Sequence, residues 1–508
     1  MMTVLPWTEA AALPLLAPLQ LLPLGSALLL LLLPPRQQRL SYSLATLLAL
    51  AELGLASELY RRFDPSGAPF QFAEQWSLFA PISYHAAVDG VALLFILLTV
   101  FLGLMAVLYG WVRNFTPPSH FLALLFGCES AVVSQFASLD LLWFLLCSMV
   151  QFVLASWMIH RWSSSLDEGM ALRRFAQFMG IGVLLLLIAL LLLGWNQTDR
   201  FAGRGSWHFD WVTLMATPVP ITLQPVLFFL LFYGMALRIP LFPLHGWLPL
   251  IAEHGTVVPA MVFLLGVKTG IYGLLRFVLP LLPQEAQRWQ LFVVVSAVVG
   301  VFYAALLALK QHNLRRMMAY AIVSHTGIIT IGLFSLQLQS FQGAILLSAH
   351  FGLATAGLFF VIGLVNLRTH TVLLDRLGSL FDHLPLLGLA FFVAGLAIVA
   401  MPGTPGFNAV HLMLEAAIHR FGALPTIAAA LGNVASAACL LWAFQRIFLS
   451  PPRITSATSQ TITRLHTVEI VFALTLIFVQ LIAGFFPEPW LRLVDNSARL
   501  LSEYYISY

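Results

Sequence analysis

Apolar runs recur along almost the whole chain with short polar gaps between them. Many reach the ~20 residues that a helix needs to cross ~30 Å of hydrocarbon. The pattern predicts about fourteen spans, near 10–33, 41–59, 87–112, 119–138, 140–160, 175–195, 222–243, 256–280, 291–309, 315–335, 341–366, 385–418, 424–447 and 467–486. Two regions interrupt it: RIPLFPLHGWLP with Pro240, Pro243 and Pro249, and MPGTPGF with Pro402 and Pro405. A proline inside a span removes backbone hydrogen bonds that lipid cannot replace, so discontinuous helices lined by protein or water are expected there.

Composition changes the picture only by closing off alternatives. Hydrophobic residues make up 60% and charged residues 9% of the 508, and mean hydropathy is +0.91. A soluble domain carries about 25% charged residues, so the chain reads as one all-α polytopic membrane unit. The formal charge of +4 does not indicate nucleic acid, because the basic residues lie scattered between apolar runs as topology signals do. Their asymmetry favours an outer N-terminus and an outer C-terminus. Cys128, Cys147 and Cys439 all fall in apolar runs without metal-ligand or disulfide spacing, and are read as inert thiols. The first residues lack Lys or Arg before the first apolar run, so the first helix is expected to be retained rather than cleaved.

The chemistry lies in the few polar groups inside the spans. Lys268, one of two lysines, sits in VFLLGVKTGIYGLLRF with apolar residues on both sides. An intramembrane charge faces a bundle interior, a partner or water, and a buried lysine can carry protons near neutrality. The alternatives are a structural ion pair or a side chain reaching out to the interface. His245 at the first proline break, His325 in AYAIVSHTG and His350 in LLSAHFGLATAG have apolar surroundings. Each alone would be a hydrogen-bonded core residue; together with Lys268 they suggest a hydrated polar file. Glu129 in FGCESAVV is a carboxylate at depth, and His411 and Glu415 share one helix face at i, i+4, as a relay end or a locally satisfied pair. Arg238 stays protonated and can bias a neighbour but cannot pass a proton. No dinucleotide fingerprint, phosphate loop, paired-cysteine cluster or nucleophile elbow is present, so no catalytic, cofactor or metal site is expected on this chain.

The segments RIPLFPLHGWLP, GVKTGIYGLLRFVLPLLP, LRRMMAYAIVSHTG, AHFGLATAGLFFVIG and MPGTPGF, preceded by YHAAVDGVALLFILLTVFLGLMAVL, resemble in order and spacing the antiporter-like membrane subunits of complex I, most closely the NuoM type. The resemblance implies two inverted five-helix repeats with broken helices 7 and 12. The domains would be 1–118 (helices 1–3), 119–277 (first repeat), 278–447 (second repeat) and 448–508 (loop, last helix and tail). It also implies a membrane-plane row of ionisable residues conducting protons, driven from a separate arm.

Position by position, the family's eighth-helix lysine corresponds to Lys268 and its histidines to His245, His325 and His350. The seventh-helix lysine falls on Arg238, the fifth-helix glutamate, counted from Asp140, on Met149, and the twelfth-helix glutamate on Val410. Two compensations are expected: Glu129 beside Arg238, and His411 with Glu415 at the terminal position. The altered row favours a specialised proton-translocating subunit in a bacterial inner membrane. It would associate with other membrane subunits and couple ion flow to inorganic carbon uptake through a zinc-containing, carbonic-anhydrase-like partner. The alternatives are an ordinary NuoM-type subunit of NADH:quinone oxidoreductase and a membrane anchor with an inactive path.

Overall fold

The computed structural model describes residues 14–35, 37–79, 82–163, 165, 167–200, 207–255, 267–451 and 463–506. Its helices are α1 (Leu16–Leu31), α2 (Gln38–Arg62), α3 (Gly90–Arg113), α4 (Pro118–Ala137), α5 (Leu141–Trp162), α6 (Glu168–Arg200), α7 (Trp211–Ala216), α8 (Gln224–Ala236) and α9 (Trp247–His254). They continue with α10 (Val267–Gly273), which runs through a π turn at Leu274–Val278, then α11 (Pro283–Leu309), α12 (Leu314–Leu333), α13 (Leu338–Thr369), α14 (Pro385–Ile398), α15 (Gly406–Phe421), α16 (Ala423–Phe444), α17 (Thr467–Phe485) and α18 (Glu488–Ile506). Helices dominate because each satisfies its own backbone where water is absent.

Among the described residues nine helices are long and apolar enough to cross a membrane, and α1, α8 and α14 are shorter apolar ones. Part of the span expected at 256–280, residues 256–266, lies outside the described residues. The chain is a multi-pass membrane protein. At its centre stands α13, buried throughout its apolar stretch, with α3 and α4 nearly so; α2, α6 and α16 turn most of their surface outward.

Both proline breaks are present. Between α8 and α9, residues 237–246 form turns, and Trp247 Nε1 donates to the Leu237 carbonyl left over at the end of α8 (3.1 Å). Between α14 and α15, residues 399–405 interrupt the helix, with Val399, Ala400, Thr404 and Pro405 buried and Met401 and Pro402 exposed, and with Gly403 at φ +84°. Asn433 Nδ2 donates to Val399 O (2.9 Å) and Thr404 Oγ1 to Met401 O (2.6 Å). The orphan carbonyls that a broken helix leaves at depth are thus taken up by side chains from neighbouring helices.

Two features differ from the expectation of an all-helical chain with a C-terminal tail. Residues 71–79 and 82–88 form an antiparallel hairpin, β1 (Gln71–Phe79) and β2 (Ile82–Val88). Its Glu74 carboxylate accepts from the first free N–H groups of α1, at Leu16 (3.0 Å) and Ala17 (3.0 Å). The tail is the amphipathic α18, which packs across α3 and α13. A Cβ on Gly90 would lie 1.7 Å from Leu493 O, so only glycine admits this crossing. Tyr505 Oη donates to Leu279 O (2.9 Å) and Gln342 Nε2 to Asp495 Oδ1 (2.6 Å), fixing α18 at both edges.

Candidate functional site

The face of α3 that meets α4 and α10 organises the site. Thr99 and Gly103 are one helical turn apart and share that face. Lys268 on α10 is 2% exposed, and its Nζ donates to Thr99 Oγ1 at 3.5 Å. Thr99 passes its own proton to Phe95 O (2.7 Å), so its oxygen is turned to accept. The lysine stem lies against Gly352 on α13, where a Cβ would stand 3.7 Å from Lys268 Cδ. Glu129 on α4 fills the space that Gly103 leaves: a Cβ there would be 1.9 Å from Glu129 Oε1. The Glu129 carboxylate interacts electrostatically with Lys268 and with a second carboxylate, Glu52 on α2. Neither oxygen of Glu52 has a hydrogen-bond partner among the described residues, and the side chain is fully buried.

This arrangement departs from the sequence reading in two respects. Glu129 faces Lys268, not Arg238, because α3 contributes a glycine where the carboxylate turns inward. Glu52 was not singled out, although it lies in the middle of a span, the same signal that drew attention to Glu129.

The histidines divide between the two helix breaks. His245 lies in the first, stacked on Phe242 (5.8 Å between centroids) and edge-on to Tyr303 (5.5 Å). His325 on α12 and His350 on α13 both reach the second. His325 Nε2 is 2.8 Å from Ile398 O and its Nδ1 3.1 Å from Ala321 O. A neutral ring has one N–H and can donate to only one of these; an imidazolium donates to both. His350 lies near the Pro405 carbonyl, and its Nδ1 has no partner among the described residues. The two imidazoles therefore bracket the break from Ile398 to Pro405.

The expected terminal pair is not inside the bundle. His411 and Glu415 are exposed on the outer face of α15, while Ala409, Met413, Ala416 and Ala417 face inward. At 1.5 Å per residue, His411 lies about 8 Å and Glu415 about 14 Å along the helix beyond the break. Val410 is half-buried.

Arg238 ends α8 at the first break, with its guanidinium 5.9 Å from the centroid of the Phe144 ring. It borders a cavity of about 40 Å³ with Ser148, Gln151, Phe152 and Thr269 among the lining residues. Met149, where counting from Asp140 places the lost carboxylate, is 41% exposed on the outer face of α5. The inward position is Ser148, 2% exposed, whose Oγ lies 2.8 Å from Gln135 Oε1; Gln135 Nε2 in turn donates to Gln151 Oε1 (2.9 Å). This side of the chain is polar without being acidic.

Two other buried ion pairs lie near helix ends. Asp89 caps α3 through Ala92 N and meets Arg276 at 2.6 Å. Glu469 caps α17 and meets Arg368 at 2.6 Å. These pairs fix helix ends; the group around Lys268 lies between mid-helix positions of separate elements.

Residues 138–435 match the family described as NADH:quinone oxidoreductase/Mrp antiporter, TM. NADH-ubiquinone oxidoreductase chain 4 of Marchantia polymorpha is 29% identical over 499 residues, covering 96% of this chain and 97% of that protein. NADH-quinone oxidoreductase subunit M of Escherichia coli K12 is 29% identical over 452 residues, 86% of each chain. Among solved structures, a chain of respiratory complex I from Thermus thermophilus superposes with a TM-score of 0.84 at 28% identity, covering 96% of this chain and 99% of that one. The broken helices, the buried lysine beside a carboxylate and these likenesses over nearly the full length agree: the chain is an antiporter-like subunit of the complex I type and belongs to the NADH:quinone oxidoreductase/Mrp antiporter membrane family.

Proposed function

We propose that this chain translocates protons across a bacterial inner membrane as one membrane subunit of a complex I-related assembly. The observation that carries the reading is the group Glu52, Glu129 and Lys268, gathered on the Thr99 and Gly103 face of α3 at the centre of the bundle. Opposite charges that interact out of water make proton occupancy on one depend on the other. A displacement of Glu129 relative to Lys268 therefore moves a proton. Glu52 supplies a second acceptor on the outer side of Glu129, and the imidazoles at the second break continue the file away from Lys268. The two five-helix units, 119–277 and 278–447, would each contribute one broken helix to this path.

Lys268→Ala and Lys268→Met in membranes containing the assembled complex test it. The expected result is loss of proton uptake by about ten-fold or more with the subunit still assembled; full pumping in both variants would make the chain an anchor.

Quinone-linked respiration and carbon uptake differ in what drives the subunit. The relatives named above support the first; the polar, acid-free neighbourhood of Arg238 is what keeps a specialised role, with a zinc carbonic-anhydrase-like partner, under test. Deletion of the gene followed by growth at low and at high CO2 separates them: a defect relieved by CO2 supports carbon uptake, and one indifferent to CO2 supports respiration.

A further inference from the structure

Arg238 is a permanent cation in the first helix break without a counter-charge among the described residues. Arg276 and Arg368 each meet a carboxylate at 2.6 Å, but the side chain of Arg238 makes no hydrogen bond or ion pair with a described residue and rests on the Phe144 ring. Residues 256–266, TVVPAMVFLLG, which lie outside the described residues, contain no Asp or Glu. The groups around its cavity are a hydroxyl on α5 (Ser148), an amide one turn further on (Gln151) and a hydroxyl on α10 (Thr269), with apolar walls from Phe152, Phe175 and Met179. The cavity, about 40 Å³, is several-fold larger than the ~10–15 Å³ that one water needs.

We propose that this cavity binds a small monovalent anion, which supplies the negative charge that the chain itself does not. Guanidinium cannot shed its proton to escape desolvation, as a lysine at the same place could. A desolvated cation is stabilised by an anion in contact, and a weakly hydrated guanidinium suits a halide or a singly charged oxyanion. A multiply charged anion would lose far more hydration on entering so dry a site. The Phe144 ring stands 5.9 Å from the guanidinium carbon, an aromatic neighbour that attracts the cation without neutralising it. The site is separate from the Glu52, Glu129 and Lys268 group, so binding can be read without turnover and does not depend on the chain moving protons.

Equilibrium binding of ³⁶Cl⁻ to the purified full chain in nanodiscs tests the proposal. Saturable binding displaced by bromide but not by bulky gluconate is expected. Displacement by bicarbonate at lower concentration than bromide assigns an oxyanion, and the reverse assigns a halide; both support the site. Arg238→Gln should weaken chloride by about ten-fold or more. Ser148→Glu, which keeps the guanidinium and places a tethered carboxylate on the cavity wall, should abolish binding; it decides the matter if Arg238→Gln fails to fold. Absence of saturable chloride binding, as would follow if a neighbouring subunit's carboxylate normally fills the cavity, overturns the proposal. Wild-type affinity in both variants does the same.

Discussion

Gly103 and Glu129 occupy complementary space: the missing side chain on α3 is where the carboxylate on α4 sits, and a methyl group there would stand 1.9 Å from Oε1. A carboxylate at this depth needs room beside its charge partner, and glycine gives it without inserting another polar group.

Gly103→Ala is therefore expected to push Glu129 away from Lys268 and lower proton translocation by about ten-fold, equivalent to ~1.4 kcal/mol of barrier. Quinone-linked proton uptake in vesicles, normalised to assembled complex, measures it. Unchanged uptake would mean that Glu129 works from another rotamer.

Glu52 and Glu129 should act as one unit. Glu52→Gln and Glu129→Gln are each expected to impair uptake severely, and the double variant little more than the worse single one, since coupled groups are not additive. Strict additivity in the double-mutant cycle would remove Glu52 from the path.

His325 combines a structural task with a chemical one. His325→Ala leaves the Ile398 carbonyl, 2.8 Å from the ring Nε2, without that partner, at a cost of about 1–3 kcal/mol. His325→Gln can still donate and should recover most of the melting temperature but not the proton uptake. Equal melting temperatures for Ala and wild type would show that the break is satisfied otherwise.

His411 and Glu415 face outward from α15, so His411→Leu and Glu415→Gln should leave the thermal stability of the isolated chain within about 0.5 kcal/mol. Any effect should emerge only in the assembled complex, as lost association with an adjoining membrane subunit. A large loss in the isolated chain would place these groups inside the bundle.

The loop between α13 and α14 carries a pH-dependent tether. His312 Nδ1 lies 2.9 Å from Asp375 Oδ2 and Arg446 Nη2 donates to Oδ1 at 3.3 Å, and these donors hold the carboxyl below its ordinary range. A depressed carboxylate contributes stability above its unfolded pKa of ~3.9 and loses it as pH falls through the folded value. Hydrogen exchange near Asp375 should stay slow down to about pH 4 and quicken below it. In Asp375→Asn exchange should already be faster at neutral pH; equal protection there would exclude the tether.

Much of this could be read from the residues because membranes punish irregularity. Proline positions located both broken helices, and solitary polar residues in apolar runs located Lys268, Glu129 and the histidines. The reading failed where facing direction mattered. Counting from Asp140 arrived at Met149, but the helix face formed by Ser148, Gln151 and Ala155, against Met149, Val150 and Val153, marks Ser148 as the inward position. His411 and Glu415 share a face as expected, yet sharing a face does not say whether it points to the bundle or away from it. Glu52 escaped notice among the polar residues of α2, where a carboxylate looks like surface. The hairpin at 71–88 has no long apolar run to announce it and depends on Glu74 reaching the distant start of α1.

The crossing of α18 over α3 and α13, anchored through Tyr505 to the end of α10, ties together at one end the three helices that carry Thr99, Lys268 and Gly352. Such a brace resists rigid tilting of those helices against one another. Under the proposed function, alternating access through such a braced core would rest on rotamers and water chains on a scale of a few ångströms, and severing the brace is expected to make the membrane leak protons.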